Sequence, residues 1–408
     1  MGALSHLRVL DLSRVLAGPW ASQILADLGA DVLKIERPGT GDDTRAWGPP
    51  WISDPQWGEL SQSAYFVGAN RNKRSVAVDI AHPRGQEVVA ALAAKCDVVI
   101  ENFKVSGLEA FGLDHATLRR ANPRLVYCSI TGFGQDGPYA HRPGYDFLVQ
   151  GMGGLMSITG KADGEPGAGP LKVGVALTDI LTGLYATVGV LAALAHRDRT
   201  GEGQHIDVSL LDVQVASLAN QAMNYLASGQ QPPRLGNAHP NIVPYQDFKT
   251  IDGRVIITVG NDAQFHRFCR AVDRLEWTED ARFTTNADRL AHRDALIPMI
   301  EDAMAKRSSE HWLRCFEDHA VPSGPINSLA EVFNDPQVLH RGMTVPLPGA
   351  AEGTPHMLGS PLHLSATPVE YHSAPPLLGA DTRQVLQTLL GMDAEAIEVL
   401  NNNKIVSG

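Results

Sequence analysis

Cysteine is scarce. Only Cys96, Cys128, Cys269 and Cys315 occur among 408 residues, widely spaced and without a C-x-x-C pair. That excludes a disulfide framework and a thiolate zinc site, and buried reduced thiols in a cytoplasmic protein are expected. Positive charge is short as well. Lys and Arg number 34 against 45 Asp and Glu, for a net charge of −11. A general nucleic-acid binder usually carries a basic face, so no nucleic-acid partner is expected. The motifs G-x-x-x-x-G-K-[ST], H-E-x-x-H and G-x-S-x-G are all missing. Their absence argues against a P-loop, a zinc hydrolase helix and a serine nucleophile elbow, and no metal site is expected. The nearest dinucleotide fingerprint, Gly39-Thr-Gly41-Asp-Asp-Thr44, lacks its third glycine and reads as a turn. The opening MGALSHLRVLDLS has no basic segment ahead of a long apolar one, so no secretory signal is expected.

Long apolar runs are nearly absent too. One stretch, VALTDILTGLYATVGVLAALA at 175–195, is long enough to span a bilayer. It contains Asp179, three threonines and two glycines, and no other segment supports a membrane protein. A buried core helix is expected there, with no membrane partner.

What is present is an ordinary globular composition, 44% hydrophobic and 19% charged, sufficient for about two domains. Short apolar runs at 7–13, 31–36, 75–80, 97–103 and 125–134 read as strands. Helical periodicity fills 19–30 and about 83–95, which implies a parallel sheet with helices on its faces. HIDVSLLDVQVASLANQAMNYLA reads as a strand entering one long helix. Proline and glycine cluster at 229–248 and again at 320–327, and GRVIITVG with a helix over 262–272 begins a smaller α/β unit between them.

Two acidic residues and one basic cluster are chemical candidates. Asp179 opens the apolar helix. A helix-start aspartate is a cap, yet a poorly hydrated carboxylate is also a nucleophile. Asp146, in RPGYDFLVQGMGG, is a loop aspartate after a Pro-Gly turn or a second functional acid. Arg71, Asn72, Lys73 and Arg74, with Lys34, Arg37, Arg45 and Lys104 near the neighbouring strand ends, are a solvated face or a holder of an anionic ligand.

Taken together, several segments in order resemble the family III CoA-transferases. They are LRVLDLSRVLAGPWASQILADLGADVLKIERPGTGDDTR, NRNKRSVAVDI, DVVIENF, NPRLVYCSITGFGQDGPY, GYD, VALTDILTGLYATVGVLAAL-x-HRDRTGEGQHIDVSLLD, GNAHPNIVPYQDF, VPSGPINSLAEVFNDPQVLHRGM and PPLLG. Within that family, GDDTRAWGPPW, V-A-x-T-D and IVPYQ-F look closest to succinyl-CoA:glutarate and related dicarboxylate CoA-transferases.

The resemblance implies an α/β fold: a Rossmann-like large domain, a smaller α/β domain, and an interlocked homodimer. The large domain would take 1–210 and 335–408, the small one 225–330, with linkers at 211–224 and 331–334. It implies Asp179 as nucleophile and Asp146 as its acidic partner. Coenzyme A, a substrate rather than a tightly bound cofactor, would contact Leu16, Ala17, Arg37, Lys73, Val78, Asp79, Ala81, Asn102, Phe103, Lys104 and Tyr145. Asn237, Ala238 and His239 would cover the pocket. Val175, Leu177, Ile180 and Leu181 would keep water out, and helix-start amides would steady oxyanions. Arg45, Arg71 or His239 would meet the second carboxylate of an acceptor acid. The α-methylacyl-CoA racemases share the superfamily but carry His where this chain has Tyr145, so a base they need is missing. A CoA-binding protein without turnover, with Asp179 only a cap, is the other alternative.

Overall fold

The Val-, Ile- and Leu-rich runs pair as parallel strands because both faces of the sheet they form are covered by helices. The computed structural model describes residues 2–408. Its chain divides into two units. The first runs to Leu155 and resumes over Val173–Ser228 and Leu339–Gly408; the second holds Met156–Lys172 and Gly229–Val338.

In the first unit the strands are β1 (Arg8–Asp11), β2 (Asp31–Glu36), β3 (Lys73–Val78), β4 (Val98–Glu101), β5 (Val126–Thr131) and β6 (His205–Ser209). They lie side by side in the order 3-2-1-4-5-6, every adjacent pair parallel. This is the doubly wound order, whose direction reverses between β1 and β4. A seventh strand, Val406–Ser407, adds antiparallel to β3. Two residues at the chain's end carry too little pattern to announce a strand.

Alternation along the strands builds two cores. Leu10, Leu33, Val76 and Val99 face one side, against Val88, Val89 and Leu92 of α2 (Pro83–Ala93) and Val385, Leu386, Ile397 and Leu400 near the C-terminus. Val9, Val32, Val98 and Val126 face the other, against Ala21 and Leu25 of α1 (Ala17–Asp27) and Ala186, Val190 and Leu194 of a long helix.

That long helix is α4 (Leu177–Thr200), which follows α3 (Asp146–Met152) in this unit. By length and composition alone it meets the requirement for a membrane span. One side is buried: Thr178, Thr182, Gly183, Ala186, Val190, Ala193 and Arg197 fall at helical spacing. The other is apolar yet open, with Leu184, Tyr185 and Val188 exposed. The expectation of a fully buried core helix is therefore corrected to a helix buried on one face. Gly183 lets α4 approach α1; a Cβ there would lie 2.8 Å from the Ala17 carbonyl oxygen. The single helix expected after β6 is also corrected. It is α5 (Leu210–Ala216) followed by α6 (Ala219–Ser228), broken where Ala219 takes φ 45°.

The second unit is built on an antiparallel sheet of β7 (Tyr245–Lys249), β8 (Arg254–Thr258) and β9 (Ser323–Pro325). Phe248, Val255 and Ile257 pack with Phe265 and Phe268 of α7 (Asp262–Ala271) and with Trp312 and Phe316 of α9 (Ser309–Asp318), past α8 (Arg293–Met304). Residues 156–172 belong here although their sequence neighbours do not, because Gly236 donates to the Gly160 carbonyl (3.1 Å) and Arg234 pairs with Asp163. None of the four cysteines is in a disulfide, and Cys315 is half-buried rather than buried.

Candidate active site

In a doubly wound sheet, ligands bind beyond the carboxyl ends of the strands where the order reverses. Here that point lies between the segments following β1 and β4. A cavity of about 360 Å³ opens there, walled by Val15, Leu16 and Ala17 on one side and by Asn102, Phe103, Lys104 and Val105 on the other. Gly132, Arg142, Gly144, Tyr145, Asp179 and Leu210 complete much of the rest.

Both walls are held by side chains from elsewhere in the sheet. Asn102 accepts the Arg14 amide (3.0 Å) and donates to the Arg14 carbonyl (2.7 Å), tying the two walls together. Glu101 accepts the Phe103 amide at 2.7 Å. Burial pushes the Glu101 carboxyl up to about 7, against the bonds from Ser129 and Phe103. Val15 has φ 71°. A β-branched residue in that region costs on the order of 1–3 kcal/mol, so the surroundings must enforce it. Its N–H is shared between both oxygens of Asp42 at 3.3 Å each.

Asp179 stands at the third residue of α4. The helix has no side-chain cap of its own. Its Thr178 amide is accepted instead by Asp146 (2.8 Å), which also accepts from Gln150 (2.8 Å). Gln150 in turn accepts the Val173 amide (2.9 Å), and the Thr178 hydroxyl donates to Gln214 (2.6 Å). The cap reading of Asp179 is thus corrected: Asp146 does the capping from α3, and the Asp179 carboxylate has no hydrogen-bond partner among the described residues. Burial, then the neighbouring Asp146 charge, push the Asp179 carboxyl up to about 7. Tyr65 is close enough that, after burial, the Asp179 and Asp146 charges raise its phenol as well.

Close backbone approach brings this pair to the cavity. A Cβ on Gly132 would sit 2.5 Å from the Gly144 Cα, and one on Gly144 2.3 Å from the Gly132 Cα. The turn ahead of Tyr145 and Asp146 can therefore rest on the end of β5 only while both positions lack side chains.

Leu16, Ala17, Asn102, Phe103, Lys104, Tyr145 and Asp179 are lining residues of one cavity. Other expected residues fall elsewhere. Lys73 is fully buried and bonds Asn70 (2.9 Å), the Pro19 carbonyl (2.9 Å) and Asp11 (3.3 Å), so its ammonium is not available to a ligand. Val78 is buried within β3, where it pairs with Val406. Arg37, Asp79 and Ala81 lie just past β2 and β3, on the same sheet edge but outside the lining; Asp79 accepts the Ala81 amide at 3.0 Å. Most of the basic cluster is neither a solvated face nor a gathered anion site, because its charges are taken internally; Arg37 and Lys104 are in no ion pair among the described residues. Arg71 pairs with Asp27, Arg74 with Asp31, Lys34 with Asp42, and Arg45 with Glu36. That also removes Arg45 and Arg71 as ligands for a substrate carboxylate.

The expected apolar wall is corrected too. Val175 is exposed, and the lining is supplied by Leu16, Ile130 and Leu210 rather than by Val175, Leu177, Ile180 and Leu181. Several helix-start amides are already occupied: Leu177 donates to Val175, Thr178 to Asp146 and Ile180 to Ala176. Asn237, Ala238 and His239 belong to the second unit. There Asn237 donates to Asp247 (2.8 Å), the Ala238 amide to Leu235 (3.0 Å) and the His239 amide to Tyr245 (3.0 Å). Reasoning from the chain alone missed Tyr65, Arg142, Gln150 and Gln214. Nothing in their local pattern marks them, since Tyr65, Gln150 and Gln214 act through partners remote in sequence and Arg142 reaches the cavity only through the fold.

Known proteins resemble this chain over nearly its whole length. The family model described as CoA-transferase family III matches residues 4–382. The chain is 52% identical over 387 residues to a succinate–glutarate CoA-transferase of Agrobacterium fabrum, covering 95% of each. It is 44% identical over 400 residues to a succinyl-CoA:glutarate CoA-transferase of Mus musculus, covering 98% of this chain and 89% of that one. Among solved structures, a CaiB/BaiF family protein from Brucella suis superposes with a TM-score of 0.83 at 47% identity, over 95% of this chain and 99% of that one.

The Asp179 environment has a measurable consequence. Followed by carboxylate infrared difference or by carbon NMR of labelled aspartate, Asp179 is expected to titrate near pH 7. Asp146→Asn removes the like charge but keeps an oxygen for the Thr178 amide, so the midpoint should move down by about one unit or more. A midpoint in the ordinary range near 4 in the unaltered protein would contradict the environment described.

Proposed function

The chain belongs to CoA-transferase family III, and from that membership we propose that it moves CoA from succinyl-CoA or a similar donor to a dicarboxylate such as glutarate through covalent intermediates on Asp179. The observation that carries the reading is a largely desolvated carboxylate without a hydrogen-bond partner among the described residues, in a mixed polar and apolar cavity at the sheet's switch point. A carboxylate with reduced hydration and no hydrogen bond to the protein is a stronger nucleophile once ionised.

The steps balance without an external energy source. The Asp179 carboxylate attacks the donor thioester carbonyl, the C–S bond breaks, and CoA thiolate leaves a mixed anhydride. The thiolate then attacks the aspartyl carbonyl and expels the donor acid, which leaves an aspartyl thioester. The acceptor carboxylate attacks that thioester and forms a second anhydride with release of thiolate. The thiolate takes the acceptor's acyl group and restores Asp179. Asp146 holds the start of α4 and, through Thr178, the register of the nucleophile. Leu16, Ile130 and Leu210 keep water from the anhydrides. Tyr65 stays protonated beside the pair, available as a hydrogen-bond donor to a developing oxyanion.

Two cations line the cavity without a carboxylate partner among the described residues, Lys104 and Arg142. Arg14 is not a third, because Asp43 neutralises it at 2.8 Å. Lys104, beside Asn102 and Phe103, suits the anionic body of CoA. Arg142, its guanidinium 4.4 Å over the Tyr139 ring, suits the distal carboxylate of a dicarboxylate.

The chain is read as a homodimer in the cytoplasm. Phe147, Leu148, Leu184, Tyr185, Val188, Val215, Met223 and Leu226 are all exposed on α3 to α6 of the first unit. So much apolar area on consecutive helices calls for a covering surface, and a second copy interlocked with the first supplies it.

Asp179→Ala should reduce transfer by at least about a thousandfold with the fold intact. Incubating the native enzyme with succinyl-CoA should add a hydroxylamine-sensitive mass to the Asp179 peptide; persistent turnover in the variant, or labelling elsewhere, would sink the covalent route. Arg142→Gln should raise KM for glutarate by about tenfold or more while leaving monocarboxylate acceptors unchanged. A rise in the CoA donor's KM alone would make Arg142 a CoA contact instead. Light scattering should give twice the 43.9 kDa chain mass without detergent. A monomer, or a species that partitions onto liposomes, would refute the dimer reading.

A further inference from the structure

The segment between β1 and α1 is short, strained and held from every side. The Ser13 amide is accepted by Asp11 (2.9 Å), and the Ser13 carbonyl accepts from Lys34 (2.9 Å). Both backbone groups of Arg14 are bonded to Asn102. The Val15 amide falls to Asp42. Three consecutive residues therefore have their amides satisfied by side chains, that of Ser13 locally by Asp11 and those of Arg14 and Val15 by remote residues, with no bond of regular secondary structure among them.

Asp42 is the centre of this arrangement. It is 3% exposed, and it pairs with Lys34, itself 1% exposed, at 2.9 Å. Thr44 adds its amide (2.9 Å) and its hydroxyl (2.7 Å) to the same oxygen. The carboxylate is thus anchored independently of Val15, and a fixed acceptor can select a backbone conformation that valine disfavours. Burial opposes the Asp42 charge, but Lys34 and Thr44 outweigh it and hold the carboxyl down at about 2. The anchor therefore carries its charge at neutral pH.

We propose that Asp42, fixed by Lys34 and Thr44, is a positioning residue for acyl-CoA: it holds Val15 in its left-handed conformation and so sets the Val15–Leu16–Ala17 wall against which the thioester is seated. The inference rests on reading the cavity as the CoA site. Asp42 does not line the cavity; it acts through the Val15 amide. A role in folding alone would leave the wall's local mobility and the donor's KM untouched in any variant that still folds.

The test uses the full-length enzyme and three variants: Asp42→Asn, Val15→Gly, and the two combined. Asp42→Asn keeps one acceptor oxygen but loses the second, the charge and the Lys34 ion pair that fix the acceptor, so hydrogen exchange of the peptide spanning 12–18 should quicken by about tenfold or more as the Val15 amide is loosened. KM for succinyl-CoA should rise about tenfold with kcat changed by less than about threefold, because ground-state seating is what is lost. Adding Val15→Gly should recover at least half of the lost affinity, since glycine takes a positive φ without enforcement. Unchanged exchange and KM in Asp42→Asn would overturn the proposal, as would failure of glycine to rescue. Faster exchange with an unchanged KM would overturn it through its premise, by showing that this wall does not seat the thioester. Should Asp42→Asn not fold, Val15→Gly alone decides. Its melting temperature should hold or rise if Val15 is strained, and a fall of several degrees would count against the clamp.

Discussion

Three adjacent parallel strands of this protein end in buried carboxylates, and how each is compensated governs what stands above it. Asp11 closes β1, Glu36 closes β2 and Glu101 closes β4, all at most 5% exposed. Asp11 is met by Lys73, Lys34, Ser13 and Ser22, and Glu36 by Arg45, Ser75 and the Asp42 amide. Burial alone would raise both; the cations reverse it and both stay low. Charge pairs this deep stabilise little by themselves, but breaking one strands its partner. The result is a rigid edge from which two loops rise, and the cavity lies between those loops.

The acid at the end of β4 is treated differently. Glu101 has no cation, and its carboxyl rises to about 7. Asp179 shares that condition at the mouth of α4. The protein thus commits its basic side chains to its frame and leaves Asp179 without a cation. Asp146 accounts for how this is tolerated. By accepting the Thr178 amide it stabilises the helix start, so Asp179 need not, and its own negative charge keeps the Asp179 proton affinity high. One carboxylate caps and the other is left without a hydrogen-bond partner among the described residues.

Much of this was legible along the chain. Period-2 and period-3.6 apolar patterns placed β1, β2, α2 and α7 nearly residue for residue, because those segments bury one face or both and their neighbours only confirm the choice. The helix after β6 was misread as continuous, since a single alanine at positive φ breaks it and no composition signals that. The basic residues were misread in a more instructive way. Lys34, Arg45, Arg71 and Lys73 look like an anion site when counted near strand ends, yet each carboxylate partner comes from a segment the pattern could not bring close.

The sequence by itself determined most of the secondary elements, a parallel sheet with helices on its faces and the presence of an isolated aspartate at the head of an apolar helix, because these depend on local spacing and on burial that period reveals. Only the tertiary structure decided which carboxylate caps and which is left bare, which cations are paired internally, that Arg142 reaches the same cavity as Asp179, and that Tyr65 lies near enough to feel the Asp179 charge. Those outcomes rest on contacts between residues tens to hundreds of positions apart. Asp146 and Thr178 are separated by 32 residues, and Arg45 and the Pro376 carbonyl it bonds by 331. No local propensity encodes such pairs; packing two faces of one sheet does.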